Sequence, residues 1–240
     1  MNRFKRSSAG LTATLLFAAL VSGACGKDNP TAPPGGGSVG GPSLGSAQSY
    51  AVLGASAVTS TGGTAITGDL GVSSPGISPT GFPPGNITGT THSGDAASAQ
   101  AQADLTPAYD ALAAKTCGTP LTGQDLGGRT LTAGVYCFTS SAQLTGALTL
   151  NGNASSVFIF KIASGLNTAS NSSVTMTGGS MARNVYWQVG SSATLGSGTA
   201  FKGNILALTS VSLGTGASLS GRVLARNGAV TMDNNAITMP

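Results

Sequence analysis

Three observations predict a β-solenoid built from triangular coils, with one long α-helix packed alongside. The first is a repeated frame. The segments 185–195, 205–213 and 223–232 each open on Val or Ile, cross a small polar joint and close on Leu195, Leu213 or Met232. The segments 157–166 and 135–144 fit the same frame. The second observation is the period. Leu195 and Leu213 lie 18 positions apart, as do Ile205 and Val223, with Gly203 and Gly221 in register. Eighteen residues suit one coil with three short sides, and stacked units of fixed period are the signature of a solenoid. The third observation is the corner after each closing residue: Asn167-Thr168, Gly196-Ser197, Gly214-Thr215 and Asp233-Asn234 are all small and polar. An antiparallel sandwich would instead need hairpin signals between the strands.

Along the chain, residues 1–24 read as a secretory signal: Arg3, Lys5 and Arg6 precede the apolar run 11–21, and small residues end the segment. Ser22-Gly23-Ala24-Cys25 fits plain signal-peptidase cleavage, and it also resembles a bacterial lipobox with Ser22 where Leu is usual. Lipidation at Cys25 would anchor the exported chain at a membrane; cleavage alone would release it. Residues 25–49 are rich in Pro, Gly and Ser without periodicity and read as a flexible tether, which puts the folded domain at 50–240. The stretches 50–61 and 64–72 look like strands that add coils from the N-terminal side. In 95–115, Ala97, Ala101, Leu105, Ala108 or Tyr109, and Leu112 recur at steps of three and four, an apolar helical stripe. Such a helix is ~30 Å long at ~1.5 Å per residue, about the height of six coils at ~4.8 Å each. Pro107 should kink or restart it. The extra residues of 167–184 should bulge from a corner.

Cys117 and Cys137 remain after export to an oxidising compartment and are expected to pair. The loop they close is worth ~3 kcal/mol. Metal binding is disfavoured, because His92 is the one histidine and no CxxC spacing occurs.

Composition excludes several functions. Without Arg3, Lys5 and Arg6, the 11 basic residues fall to eight against seven aspartates, so the exported part is nearly neutral and lacks the basic stripe of a nucleic-acid binder. There is no glutamate, and the aspartates are scattered, so paired carboxylates for general acid–base work are missing. His92-Ser93-Gly94-Asp95 sits at the helix start, where capping by Ser93 or Asp95 is the simpler account. Arg222, Arg226 and Lys202 have no acidic cluster beside them in sequence, unlike the sites of solenoid polysaccharide lyases. No enzyme and no cofactor are expected.

The sides of the coil differ. In 157–162 and 205–209 nearly every position is apolar, so both strand faces want burial and this side should carry the helix. On the next side, Ala193 and Leu195, Val211 and Leu213, and Val230 and Met232 alternate with Ser192 and Thr194, Ser210 and Ser212, and Ala229 and Thr231. Period-two alternation puts the first set in the core and the second outside, as an uncharged ladder of hydroxyls and methyls. Thr also favours strands for its own reasons, so the ladder alone does not establish a function.

Several motifs carry a resemblance. Ile66–Val72 (ITGDLGV), Ala99–Leu105 (AQAQADL) with Ala108-Tyr109, Leu126–Leu131 (LGGRTL), Gly134–Phe138 (GVYCF) and Gly221–Thr231 (GRVLARNGAVT) occur in this order and together resemble the microbial ice-binding protein family of the DUF3494 type. The likeness runs from about residue 49 to 240. It implies a discontinuous right-handed β-helix of triangular section with a helix alongside, a flat face adsorbing to ice, and no cofactor. On that reading the ice face is Ser192, Thr194, Ser210, Ser212 and Thr231, with Thr168, Ser197 and Thr215 extending its edge, and Lys202 lies on another side. The expected partner of this monomer is the ice crystal. A cell-surface adhesin or structural solenoid is the alternative from another class.

Overall fold

A computed structural model describes residues 40–240. The expected signal segment 1–24, Cys25 and residues 26–39 of the expected tether lie outside the described residues.

One coil shows how the chain winds. Val185–Val189 forms the first side, Ala193–Leu195 the second, and Ala200–Ala207 begins on the third. The last strand bends at Gly203, whose φ is +110°, and re-enters the first side so that Ile205 pairs with Trp187. The next coil repeats the move, with Lys202, Gly203 and Asn204 against Ser220, Gly221 and Arg222. Alternate side chains point inward. Phe160 and Trp187 stack in the interior with ring centroids 3.9 Å apart and planes 7° from parallel. The indole N–H donates to the Lys202 carbonyl at 3.0 Å, so the buried ring leaves no donor unpaired.

The other face of the first side is apolar too, as the sequence predicts, and the helix Ala96–Ala113 covers it. Leu105, Tyr109 and Leu112 form one buried cluster with Ile159, Leu206 and Leu224. Each fully buried side chain of this size contributes ~1.5–3 kcal/mol. The buried stripe is Ser98, Ala101, Leu105, Ala108, Tyr109 and Leu112; Ala97, expected in it, is exposed. Ser98 takes its place, three residues before Ala101 on the same face, and its N–H donates to the N-cap carboxylate of Asp95 at 2.8 Å. Pro107 does not restart the helix, which is a single 18-residue element. The carbonyl that Pro107 leaves without a donor belongs to exposed Ala103, where water can satisfy it.

Chain order and stacking order differ. Tyr50–Gly54 does not join the coil that comes after the helix; it pairs with Ser218–Ala225 on one side and Asp69–Val72 on the other. The N-terminal coils therefore sit at the far end of the stack, against the last C-terminal coil. The helix makes this possible: 18 residues rise ~27 Å and return the chain to the opposite end, where the coils of residues 117–240 start. There Cys117, just past the helix, is bonded to Cys137 in the strand Gly134–Phe138, with Cα atoms 5.9 Å apart.

Two further expectations change. Residues 167–184 are not a bulge as a whole, because Leu166–Thr168 and Ser173–Thr177 are regular strands of the second and third sides. Phe158 pairs with Val185, 27 positions on, and the excess is a longer strand plus a turn at Gly178–Gly179 and a short 3-10 segment, Ala182–Asn184. The tether is also shorter than predicted. Leu44 and Ala47 are buried, Ser46 N donates to Asp104 Oδ2 at 2.7 Å, and the Gln48 carbonyl accepts from Arg222. A strap that packs on both helix and sheet belongs to the fold.

Candidate functional site

Two sides of the solenoid are left uncovered by the helix. The second side is a six-stranded parallel sheet running Ala142–Leu144, Leu166–Thr168, Ala193–Leu195, Val211–Leu213, Ala229–Asp233 and Ala57–Thr61. Its register places Asn167 beside Thr194, Thr194 beside Ser212, Ser212 beside Thr231 and Thr231 beside Thr59. An isolated bridge adds Thr80 next to Thr59. Thr194, Ser212 and Thr231 thus share one file, and the structure lengthens that file by two threonines which local pattern does not place. Gln143 and Asn167 close it at the other end. Neighbouring members are ~4.8 Å apart and outward positions along a strand ~7 Å apart, so the file is half of a regular lattice. Thr231 Oγ1 donates to Ser212 Oγ at 3.0 Å, which fixes the direction of the Thr231 hydroxyl.

Ser192 and Ser210 form a parallel file at the edge nearer the first side. Both are half-buried, and both accept backbone bonds: Ser210 N donates to Ser192 Oγ at 3.3 Å and Ala229 N to Ser210 Oγ at 3.2 Å. Their hydroxyls are oriented by the corner before they meet water. The opposite edge is mixed. Ser197 and Thr215 are exposed at the corner between the second and third sides. Thr168 is not: it is 7% exposed and shares its hydroxyl with Thr199 at 3.0 Å inside the coil. The alternation of the strand turns Thr168 inward with Leu166, so it contributes nothing to an outer edge. Thr215 and Thr61 both donate to the Asp233 carboxylate, and these bonds hold its pKa below the usual carboxylate range. A charge therefore borders the second side without standing in its central file.

The third side carries its own ladder. Lys202, Ser220, Thr238 and Thr67 are in register, beside a second file of Ala200, Ser218, Ala236 and Ala65. Thr130, Thr149 and Thr175 continue the pattern toward the other end. The signal is present in the chain as Ala65-Ile66-Thr67, Ala147-Leu148-Thr149 and Ala236-Ile237-Thr238, an outward-inward-outward triplet at the corner after each second-side strand. Lys202 is the one cation in these files and lies on this side, away from the second-side file, as the sequence predicts.

His92 and Asp95 do meet, with Nδ1 2.7 Å from Oδ2, but as the helix cap. The Ser98 N–H, then His92, draws the Asp95 pKa down to about 2. Among the described residues no three His, Cys, Asp or Glu side chains converge as a metal site.

These features define a class of protein: a rigid β-solenoid whose uncovered faces are flat lattices of small side chains. The description "ice-binding-like" belongs to the family model that matches residues 52–238, and the chain is a member of that family. It is 56% identical over 198 residues to an ice-binding protein of Nostoc sp. (strain HG1), covering 81% of this chain and 73% of that one. An ice-binding protein of Flavobacterium frigoris (strain PS1) is 35% identical over 210 residues, covering 82% and 76%. Among solved structures, an ice-binding protein from the Antarctic ascomycete Antarctomyces psychrotrophicus superposes with a TM-score of 0.81 at 43% identity, covering 84% of this chain and 99% of that one. An ice-binding protein from an Antarctic biological consortium gives 0.80 at 48%, covering 84% and 93%.

Proposed function

We propose that the protein binds ice and restrains crystal growth or recrystallisation, adsorbing through the second-side file Thr194, Ser212, Thr231 and Thr59 with Ser192 and Ser210 beside it. The observation that carries the reading is the unbroken register of that file, a row of small uncharged groups on a frame held by main-chain hydrogen bonds. Hydroxyls and methyls at fixed ~4.8 Å and ~7 Å spacings can order water as a lattice, whereas mobile charged chains would keep their own hydration. Relatives named as ice-binding proteins support the same function.

The third side supports a second reading of the face, because its two files span more strands than the second side does. Lys202 in the middle of them counts against it.

Tyr substitutions separate the two. Thr194→Tyr or Thr231→Tyr should abolish thermal hysteresis and crystal shaping with circular dichroism and melting unchanged. Ala103→Tyr, on the outer helix surface, is the control. Loss of activity only in Thr67→Tyr or Thr238→Tyr would move the site to the third side. A wild-type protein that neither shapes ice nor slows recrystallisation would leave the adhesin reading.

The same proposal includes export directed by residues 1–24, with a lipid on Cys25 holding the solenoid at the cell envelope or plain cleavage releasing it. The protein acts on ice as a monomer and performs no enzymatic chemistry.

A further inference from the structure

Arg222 belongs to the Gly221–Thr231 motif, and the ice faces make no use of it. Its side chain is 7% exposed. The ion pairs among the described residues are His92–Asp95 and Arg226–Asp110, so no carboxylate there lies within 4.0 Å of Arg222. Nε and Nη2 donate to the Gln48 carbonyl at 2.9 and 2.8 Å, and Nη1 donates to Asn204 Oδ1 at 3.0 Å. A guanidinium has five N–H groups. Three are used, which leaves one on Nη1 and one on Nη2. Neutral acceptors satisfy hydrogen bonds but do not neutralise the charge, and a buried charge is costly without a counter-ion.

The same guanidinium lines a cavity of about 300 Å³ between the strap and the corner where the third side turns into the first. Arg183, Asn184, Tyr186, Leu44 and Pro240 line it as well; no Asp or Glu side chain does, and the α-carboxylate of Pro240 is not within 4.0 Å of either guanidinium. Arg183 is exposed and also lacks an acidic partner among the described residues. Its backbone carbonyl accepts from Asn204 Nδ2 at 3.0 Å, and Asn204 in turn holds Arg222. A shared asparagine thus ties the backbone of Arg183 to the guanidinium of Arg222 at one cavity.

We propose that this cavity is a binding site for a small organic oxyanion, a carboxylate or phosphate on a compact body, held by Arg222 from inside and Arg183 at the mouth. Paired N–H groups on a planar cation suit an oxyanion, and the charge-assisted bonds are the strong kind. The cavity exceeds what a bare oxyanion fills, and Leu44 with the Tyr186 ring gives the rest of the ligand an apolar wall. The site is remote from the Thr194–Thr231 file and independent of how ice is bound.

The test is calorimetry and a melting curve on the exported chain with inorganic phosphate, glucuronate and, as the neutral control, glucose. Phosphate or glucuronate should bind and raise the melting temperature, and glucose should do neither. Arg183→Ala should weaken binding roughly tenfold or more, the loss expected for one hydrogen bond to a charged group, while the unliganded melting temperature stays put. Arg222→Lys keeps the charge but not the paired donors and should lose binding as well. Absence of binding by both oxyanions, equal binding by glucose, or undiminished affinity in Arg183→Ala would overturn the proposal.

Discussion

The carbonyl oxygen of Gly203 stands 1.9 Å from where a Cβ on Gly221 would lie, one coil away. These two glycines mark the same corner in successive coils, the point at which a third-side strand bends into the first side. Gly203 is itself hemmed in, since a Cβ there would come within 2.9 Å of Trp187 Nε1. The corner is where the coils close most tightly, and only backbone fits.

Gly221→Ala should therefore be severe. The methyl meets backbone, which cannot rotate away, and φ is +155°. Clash and strain together should cost about 3 kcal/mol, or roughly 6–12 °C of melting temperature for a domain of this size. Gly216→Ala is the comparison: φ is +70° but nothing lies within 4 Å, so only the ~1–2 kcal/mol of a left-handed alanine should be lost. Equal losses in the two variants would mean that the close approach is not what holds the corner.

Truncation should reveal the strap. A chain starting at Gly40 keeps Leu44 and the Ser46–Asp104 bond, and should melt as the longer protein does. One starting at Ser46 loses Leu44, 5% exposed, and should be weaker by ~1.5–3 kcal/mol in denaturant unfolding. The Asp104 carboxyl, held below its ordinary range first by the Ser46 N–H, adds an acid dependence. Its folded pKa is depressed, so that contribution is full above the ordinary value of 3.8 and fades as pH falls further. Asp104→Asn should flatten this part of the profile.

Reduction of Cys117–Cys137 should lower stability by ~3 kcal/mol, the closure entropy of a loop of about 20 residues. The measurement is urea unfolding with and without reductant. The coil at the helix exit should loosen first, because the bond ties that coil to the strand Gly134–Phe138. An unchanged midpoint would show that strand pairing alone holds this end.

All four tyrosines should titrate late. Burial is the leading cause in each, and it pushes Tyr50 up to about 12. A raised phenol pKa stabilises the fold fully below about pH 10 and loses that contribution as pH climbs through about 12. Near-ultraviolet absorbance should show little phenolate until the protein unfolds in alkali. Tyr50 has a further feature: its buried hydroxyl has no hydrogen-bond partner among the described residues. Tyr50→Phe should thus leave stability unchanged or raise it by up to ~1 kcal/mol; a clear loss would point to a partner for that hydroxyl.

Periodicity in the chain is enough to establish the solenoid, its helix and the side the helix covers. An 18-residue frame with Gly203 and Gly221 in step has few other solutions, and the all-apolar runs 157–162 and 205–209 need cover on both faces. The Cys117–Cys137 pair is legible because the signal-like start of the chain leads one to expect an oxidising compartment, where two such thiols commonly pair. The outward set Thr194, Ser212 and Thr231 is legible because alternation along a strand is a local property. Tertiary structure decides everything that depends on which coil lies next to which. Thr59 and Thr80 are more than 100 residues from Thr231 in the chain, and only the return run of the helix, which seats the N-terminal coils on the last C-terminal one, brings them into its file. Thr168 turns inward in a coil longer than 18 residues, so its place relative to the corner does not carry over from its neighbours. The strap from Leu44 to Ser49 reads as linker by composition, and the partners that fix it, Asp104 and Arg222, lie far along the sequence. Local pattern fixes the direction of a side chain; register between distant segments fixes its neighbours, and that register is set by packing.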